Sequence, residues 1–198
     1  MERLILARHG ESEYSARGLV NGDASVPVGL TDAGEAQARR LGALLADERI
    51  DLCVTSALPR TQRTAQLALA ARGVSLEPWA ELNDPRAGAF EGVPLDEYLV
   101  WARAAGSGVE APGGGESRIA AVERYGRGFR TLLERPEAAI LAVLHALPIA
   151  YVLRALDGEP PAARMDRPVE YAHPYTLSAG ELETALGVLE GWAAQPDW

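Results

Sequence analysis

Residues 3–11 of the chain, Arg-Leu-Ile-Leu-Ala-Arg-His-Gly-Glu, set the architecture of the molecule. The first part of this segment, Arg3–Ala7, is a short apolar run typical of a strand that is buried on both faces. The polar residues Arg8 and His9 come directly after this run. Gly10 then lets the backbone turn sharply and approach a ligand closely. The segment therefore predicts a buried strand that ends in a chemically active loop.

Three further apolar runs resemble the first, and predicted helices separate them along the chain. They lie at Asp51–Val54, Val74–Leu76 and Ala138–Leu144. Strands that alternate with helices predict an α/β fold with three layers, in which a mostly parallel central sheet has helices on both faces. Ligands of such sheets bind outside the carboxyl ends of the strands. We therefore expect the polar residues that follow the strands, including His9 and His145, to lie on one rim.

Five segments have the apolar spacing or the end signals of helices. They cover residues 32–47, 59–71, 95–105, 117–133 and 148–156. Near the end of the chain, Tyr175–Ser178 and Leu182–Val188 flank the tripeptide Ala179-Gly180-Glu181. Two short apolar segments around a glycine predict a β-hairpin.

Length and composition fit one domain of residues 1–198, since 198 residues and 21.1 kDa are usual for a single domain. Residues 85–118 are rich in glycine and proline, and a long segment of this kind over a sheet rim predicts a lid or cap. The net charge of −9 opposes binding to nucleic acids or anionic membranes, which needs a basic surface. The apolar runs are also too short to span a bilayer.

The numbers of cysteines and lysines exclude several kinds of site. The single cysteine, Cys53, excludes an intrachain disulfide and a cysteine-based metal cluster. Together with the lack of a signal-peptide pattern, it favours a reducing, cytoplasmic location. All 19 basic residues are arginines, which removes Schiff-base and P-loop lysines. A bound anion must therefore be held by arginine, histidine or backbone amides, and the arginine fork suits phosphate.

Two positions carry the strongest chemical signals. A neutral imidazole at His9 is able to attack phosphorus and form a covalent intermediate. Arg60 lies in the first turn of a predicted helix, where free backbone amides and the positive end of the helix dipole favour an anion. Arg8 supplies a second cation next to the histidine. These residues point to chemistry on a phosphorylated compound.

Several motifs, in the same order, resemble those of the histidine phosphatase superfamily, the phosphoglycerate mutase-like proteins. The segment Arg8–Ser12 resembles the opening Arg-His-Gly-Glu signature of that family. The later segments that resemble the family are Leu30–Ala38, Ser56–Ala65, Leu82–Gly92, Gly114–Ser117 and the strand before His145. Together the matches cover roughly residues 3–156 and are specific as a set.

The resemblance implies a phosphoglycerate mutase-like fold and a set of residue roles. His9 is expected to be the nucleophile that becomes phosphohistidine, within a phosphate pocket of Arg8, Arg60 and His145. Asp84 falls where the family places its acid, and it is expected to protonate the leaving oxygen. The resemblance implies neither a metal nor an organic cofactor.

The sequence departs from the family pattern between residues 14 and 22. Many members carry Trp-Asn where this chain has Tyr14-Ser15, and many have an arginine a few residues later. We expect Ser15 and Asn21 to contact the substrate in this region. Arg17 is expected to substitute for the missing cation.

These observations favour a phosphatase that hydrolyses a small phosphorylated metabolite through a phosphohistidine on His9. The alternative within the fold is a cofactor-dependent phosphoglycerate mutase. Such mutases have a longer segment before the second histidine, whereas only about 50 residues separate Gly92 from His145 here. The alternative outside catalysis is a module that binds a phosphoryl ligand. The apolar residues 182–192 supply a candidate edge for a homodimer.

Overall fold

The fold is a sheet between two layers of helices. The computed structural model describes residues 1–70, 72–164 and 168–198. Within these ranges the strands are β1 (Arg3–Arg8), β2 (Leu52–Thr55), β3 (Leu76–Pro78), β4 (Ala139–Leu144) and β5 (Pro174–Ser178). The helices are α1 (Glu13–Ala16), α2 (Asp32–Leu44), α3 (Pro59–Ala68), α4 (Leu95–Ala105), α5 (Arg118–Leu133), α6 (Ala146–Leu156) and α7 (Ala179–Ala194). None of these helices is long and apolar enough to cross a membrane.

The strands lie in the order β3-β2-β4-β1-β5 across the sheet. β1 pairs in parallel with β4, β4 with β2, and β2 with β3, whereas β5 runs antiparallel to β1 at one edge. Ile140 of β4 lies opposite Leu4 of β1 on one side and opposite Leu52 of β2 on the other. The sheet is therefore mostly parallel, as the alternation of strands and helices predicted.

Side chains of the central strands alternate between two hydrophobic cores. On β1, Leu4 and Leu6 pack in one core, while Ile5 and Ala7 pack in the other. Helices α5, α6 and α7 contribute to the first core, and α2 and α3 contribute to the second. A strand buried on both faces has a continuous apolar sequence, because successive side chains point to opposite faces. This arrangement confirms the predicted three-layer α/β fold with helices on both faces.

The predicted hairpin near the end of the chain is wrong, because its second segment lies in helix α7. The Ser178 hydroxyl accepts a hydrogen bond from the Glu181 amide, and the Glu181 carboxylate accepts one from the Ser178 amide. This capping box begins a helix where Gly180 suggested a turn. The buried side chains of α7 then recur at helical spacing, at Leu182, Ala185, Leu186 and Leu189.

Other predicted elements are present with shifted ends. The helix predicted over residues 32–47 ends at Leu44. The third strand covers Leu76–Pro78 instead of Val74–Leu76, because its pairing with β2 begins opposite Cys53. Neither shift changes the order of the elements.

The segment predicted as a lid, residues 85–118, contains helix α4 and part of a small core of its own. Tyr98 of α4 is buried in this core together with Val20, which comes from the loop after α1. The Trp101 ring lies 5.1 Å from the ring of Phe90, so this tryptophan packs within the segment. Opening and closing of the segment stays a prediction.

Two close backbone approaches fix the loop that follows β1. A Cβ on Gly10 would lie 2.3 Å from the Gly34 carbonyl oxygen, and one on Gly34 would lie 2.0 Å from the Glu11 carbonyl oxygen. The first turn of α2 therefore presses directly on the loop. The Glu11 amide also donates a hydrogen bond to the Gln37 side chain at 2.8 Å. These contacts hold the neighbouring His9 against the end of the sheet.

We expect Gly34→Ala to lower the free energy of unfolding by about 1–3 kcal/mol, because the added methyl group overpacks a contact between backbones. Gly187→Ala is the matched control, since Gly187 also lies in a helix but has open space where a Cβ would stand. The control should gain about 0.5–1 kcal/mol from the higher helix propensity of alanine. Urea unfolding measures both values, and equal effects would contradict the packing argument.

Candidate active site

His9 lies at the carboxyl end of β1 with only 3% of its surface exposed. Its backbone amide donates a hydrogen bond to the Leu144 carbonyl oxygen at 2.9 Å, which places it beside the end of β4. Its Nδ1 lies 2.7 Å from the Gly10 carbonyl oxygen, and this acceptor requires the imidazole proton to be on Nδ1. Nε2 is therefore unprotonated, and it accepts a hydrogen bond from Nε of Arg60 at 3.1 Å.

His145 follows β4 in the same way and is fully buried. Its ring centroid lies 5.3 Å from that of His9. Nδ1 lies 3.1 Å from Nη2 of Arg60, which donates to it, so the proton is on Nε2 and donates to Ser56 Oγ at 2.8 Å. Ser56 follows β2. Residues just beyond three neighbouring strands thus meet on one rim of the sheet.

Arg60 joins these groups through a guanidinium that is only 3% exposed. It lies in the first turn of α3, which Pro59 begins with its fixed backbone angle. Besides both histidines, it contacts Asn21, donating from Nη1 to the side-chain oxygen and from Nη2 to the backbone oxygen at 2.9 Å. Nη2 also lies 3.1 Å from Oδ2 of Asp84. One side chain therefore fixes the relative positions of four others.

Asp84 occupies the side of the site next to Arg60 and His145. Its Oδ2 lies 3.5 Å from Nδ1 of His145, and 28% of its side chain is exposed. Burial raises the pKa of Asp84 above its usual value, although the charges of Arg60 and Arg8 oppose the shift. Asp84 therefore keeps its proton to a higher pH than an ordinary aspartate does.

Both histidines are held in the neutral form. Burial lowers the pKa of His9 well below its usual value, and the charges of Arg60 and then Arg8 lower it further. The pKa of His145 is lowered in the same way, first by burial and then by Arg60. The unprotonated Nε2 of His9 is thus available as a nucleophile near neutral pH.

Arg8 lies across the ring of Tyr171, with its guanidinium carbon 3.7 Å from the ring centroid. Its Nη1 donates a hydrogen bond to the Val169 carbonyl oxygen at 2.9 Å. Its Nε is buried and has no hydrogen-bond partner among the described residues. An unsatisfied buried donor is costly and rare. Tyr171 has no motif around it, and sequence analysis did not single it out.

Ser15 and Asn21, the two predicted substrate contacts between residues 14 and 22, line the cavity. Their side chains already form hydrogen bonds within the protein. The Asn21 side chain accepts from Arg60 and donates to the Glu91 carboxylate at 2.7 Å. Ser15 Oγ lies 2.8 Å from the hydroxyl of Ser12, the N-cap of α1. Glu91 and Ser12 belong to the motifs quoted above, but their contacts to this loop could not be inferred from the motifs alone.

These residues border a cavity of about 340 Å³ that His9, Arg8, Arg60 and Asp84 line on one side. His145 is buried behind them and is absent from the lining. The remaining lining residues are mainly apolar or aromatic, and two of them are arginines that sequence analysis missed. They include Leu19, Val20, Leu95, Tyr98, Leu99, Leu147, Tyr151, Tyr171, Arg103 and Arg118.

Arg17 was expected to supply a cation here, but it does not line the cavity. Its guanidinium carbon instead lies 5.9 Å from the ring centroid of Tyr14. The lining arginines Arg103 and Arg118 come from α4 and α5. Over the described part of the chain, no group of three or more His, Cys, Asp and Glu residues is arranged to hold a metal ion.

The neutral histidines make stability depend on pH. Below about pH 6.5 an unfolded histidine binds a proton that buried His9 does not, so the unfolding free energy falls as the pH falls, by up to about 1.4 kcal/mol per unit for each group. We expect His9→Asn, which keeps a donor for the Gly10 oxygen, to reduce this slope. Urea unfolding of both proteins between about pH 7 and pH 5 measures it. Equal slopes would argue against a buried neutral His9.

Comparisons with known proteins agree with this arrangement. A 2,3-bisphosphoglycerate-dependent phosphoglycerate mutase from Methylobacterium radiotolerans is 32% identical over 96% of this chain and 97% of its own. A mutase of the same name from Azorhizobium caulinodans is 43% identical, but the match spans only about half of each protein, 49% of this chain and 49% of the relative.

A solved structure extends the likeness to three dimensions. The alpha-ribazole phosphatase from Shigella flexneri aligns with a TM-score of 0.76 and 30% identity over 88% of this chain and 89% of its own. The sequence model of the histidine phosphatase superfamily (branch 1) matches residues 4–192, nearly the whole chain. Because this match covers almost the whole sequence, the chain belongs to the histidine phosphatase superfamily.

Proposed function

We propose that this protein is a phosphatase that hydrolyses a small phosphorylated molecule through a phosphohistidine on His9. One observation carries the proposal: the unprotonated Nε2 of a buried, neutral His9 lies beside the guanidinium of Arg60 at the cavity. A neutral imidazole nitrogen is nucleophilic toward phosphorus, and fixed cations favour that form. Arg8 lines the same cavity and supplies a further cation for the phosphoryl oxygens.

The first half-reaction moves the phosphoryl group to His9. Nε2 attacks phosphorus, the bond from phosphorus to the leaving oxygen breaks, and Asp84 gives its proton to that oxygen. Arg8 and Arg60 hold the equatorial oxygens, over which charge spreads in the transition state. On binding, these oxygens take over the donors that Arg60 directs to Asp84 and His9 in the free protein. His145, buried behind Arg60, orients the guanidinium through Nδ1.

The second half-reaction returns the enzyme to its starting state. Water attacks phosphorus, the Asp84 carboxylate accepts a proton from it, and the bond from phosphorus to Nε2 of His9 breaks. Inorganic phosphate leaves, Asp84 is protonated again, and His9 regains its lone pair. The atoms and charges balance with water as the co-substrate.

A phosphoglycerate mutase is the second candidate, since the relative from Methylobacterium radiotolerans, aligned over almost its whole length, carries that name. A mutase forms the same phosphohistidine but returns the phosphoryl group to a bound hydroxyl before water reaches it. It therefore needs a site that excludes water during the transfer. The short segment between Gly92 and His145 favours hydrolysis, because it offers less chain to close over the site.

We expect the wild-type protein to form a covalent phosphoenzyme with ³²P-labelled 4-nitrophenyl phosphate in the presence of a chelator. The label should be stable to base and sensitive to acid, as a phosphorus–nitrogen bond requires. His9→Ala should lose both the label and phosphate release, because no other neutral nitrogen replaces Nε2. His173→Ala, which changes an exposed histidine outside the cavity, is the matched control and should keep both.

Phosphate release that survives in His9→Ala would contradict the mechanism. Wild-type protein incubated with 3-phosphoglycerate and 2,3-bisphosphoglycerate distinguishes the phosphatase from the mutase. Formation of 2-phosphoglycerate faster than release of phosphate would select the mutase, and release without isomerisation would select the phosphatase.

We expect Asp84→Asn to lower kcat/KM for an alkyl phosphate by about 10²–10⁴-fold, the usual contribution of a positioned acid. The loss should be far smaller with 4-nitrophenyl phosphate, because 4-nitrophenolate leaves without a proton. Asp47→Asn, an exposed aspartate outside the cavity, controls for the change of charge. Equal losses on both substrates, or a wild-type kcat/KM that peaks above about pH 8, would rule out Asp84 as the acid.

A further inference from the structure

The cavity contains more positive charge than chemistry at His9 requires. The described residues that line it include four arginines and one carboxylate, a formal surplus of three positive charges when the histidines are neutral. A phosphomonoester dianion at Arg8 and Arg60 compensates only part of this surplus. The two arginines that remain, Arg103 and Arg118, have no part in the proposed phosphoryl transfer. This local surplus stands out in a chain whose net charge is −9.

Arg118 is the more constrained of these two arginines. It is the first residue of α5, and its guanidinium carbon lies 5.5 Å from the ring centroid of Tyr98. Within the described residues, no carboxylate lies within ion-pair distance of it. Two other arginines of the same helix have such partners, since Arg124 pairs with Glu116 at 2.6 Å and Arg130 pairs with Glu190 at 2.8 Å. Arg118 is thus a cation that the fold holds at a cavity without a fixed counter-charge.

Arg118 and Asp84 line the same cavity. The charges of Arg60 and Arg8, and then that of Arg118, oppose the rise of the Asp84 pKa that burial causes. For His9, the cations that lower the pKa are Arg60 and then Arg8. Asp84 is the proposed proton donor to the leaving oxygen, so a cation near it faces the leaving group. Arg118 and His9 therefore address different parts of one substrate.

Apolar side chains line the part of the cavity that Arg118 borders. Leu95, Tyr98, Leu99 and Arg103 all come from α4 and line the cavity, and their spacing of three, four and eight residues from Leu95 puts them on one face of the helix. Leu147 and Tyr151 of α6 supply further apolar lining. Leu95 is 44% exposed although it is large and apolar. Such a lining favours a flat apolar body more than a short polar one.

We propose that the substrate carries a carboxylate on its leaving group, which Arg118 binds, with an apolar body between this carboxylate and the phosphate. The inference rests on the proposed function, because it assigns the far end of the same substrate. The planar guanidinium of Arg118 matches a carboxylate in shape and number of donors. Tyr98 and Tyr151 contact the body that separates the two anionic groups, and Arg103 adds charge at the outer edge.

The test compares two aryl phosphates that differ at one position, 4-carboxyphenyl phosphate and 4-carbamoylphenyl phosphate. We expect the ratio of their kcat/KM values to fall about tenfold in Arg118→Gln relative to wild type, the loss expected for one hydrogen bond between charged groups. The difference in leaving-group basicity cancels in this comparison. Arg127→Gln is the matched control, because it removes an exposed arginine of the same helix that does not line the cavity.

A second measurement separates this inference from the catalytic proposal. Calorimetric titration of His9→Ala, with and without Arg118→Gln, gives dissociation constants for the same two compounds without turnover. We expect the carboxylate to be preferred about tenfold less when Arg118 is replaced. An unchanged ratio in both measurements would overturn the inference and leave the chemistry at His9 intact. Equal losses on both compounds would show that Arg118 only supports the fold. Wild-type protein that forms no phosphoenzyme would overturn the catalytic proposal, and the titration would still decide the role of Arg118.

Discussion

The guanidinium of Arg60 is charged and 3% exposed, and the rest of the site is arranged around the cost of burying it. Taking such a charge out of water costs several kcal/mol. Hydrogen bonds and an opposite charge must offset this cost for the buried guanidinium to be stable. Here every polar atom of the guanidinium has a partner, through His9, Asn21, Asp84 and His145. Among the described residues, its one negatively charged hydrogen-bond partner is Asp84, an aspartate whose pKa burial raises. The positive charge is therefore incompletely neutralised, and in the proposed function a bound phosphate completes the balance.

In the proposed mechanism, this balance couples the binding of phosphate to the protonation of Asp84. A phosphate dianion competes with Asp84 for the donors of Arg60, and a negative charge nearby raises the pKa of a carboxyl group further. Binding of the substrate thus favours the protonated form of Asp84 at the moment when a proton is needed. In the free protein, the charges of Arg60 and Arg8, and then that of Arg118, oppose the rise of the Asp84 pKa that burial causes. In the proposals above, Arg60 and Arg118 contact different ends of the ligand while both act on the acid.

The sequence identified the residues at the ends of the buried strands, and the reason is geometric. His9 and His145 each follow an apolar run directly, and the carboxyl ends of parallel strands meet on one edge. Arg60 could be placed because Pro59 marks the first turn of a helix. Arg118 and Tyr171 could not be placed in this way, since a position on a helix or in a loop carries no mark of the cavity it faces. The misread helix α7 had a usable signal, the serine and glutamate three residues apart that form its capping box.

The two groups of residues also differ in what holds them. Of the residues proposed for chemistry, His9 and His145 follow strand ends, and Arg60 lies in the first turn of α3. The loop beside His9 is clamped by the contact between Gly10 and Gly34, where the backbone has no freedom to accept a side chain. The residues proposed for specificity lie on α4 and at the start of α5, around a small separate core. We expect changes in this second group to alter which leaving group fits without moving Nε2 of His9 or the guanidinium of Arg60. A fold built in this way is able to keep one phosphoryl-transfer chemistry while its substrate varies, because rigid strand ends carry the reaction and a peripheral segment carries the selection.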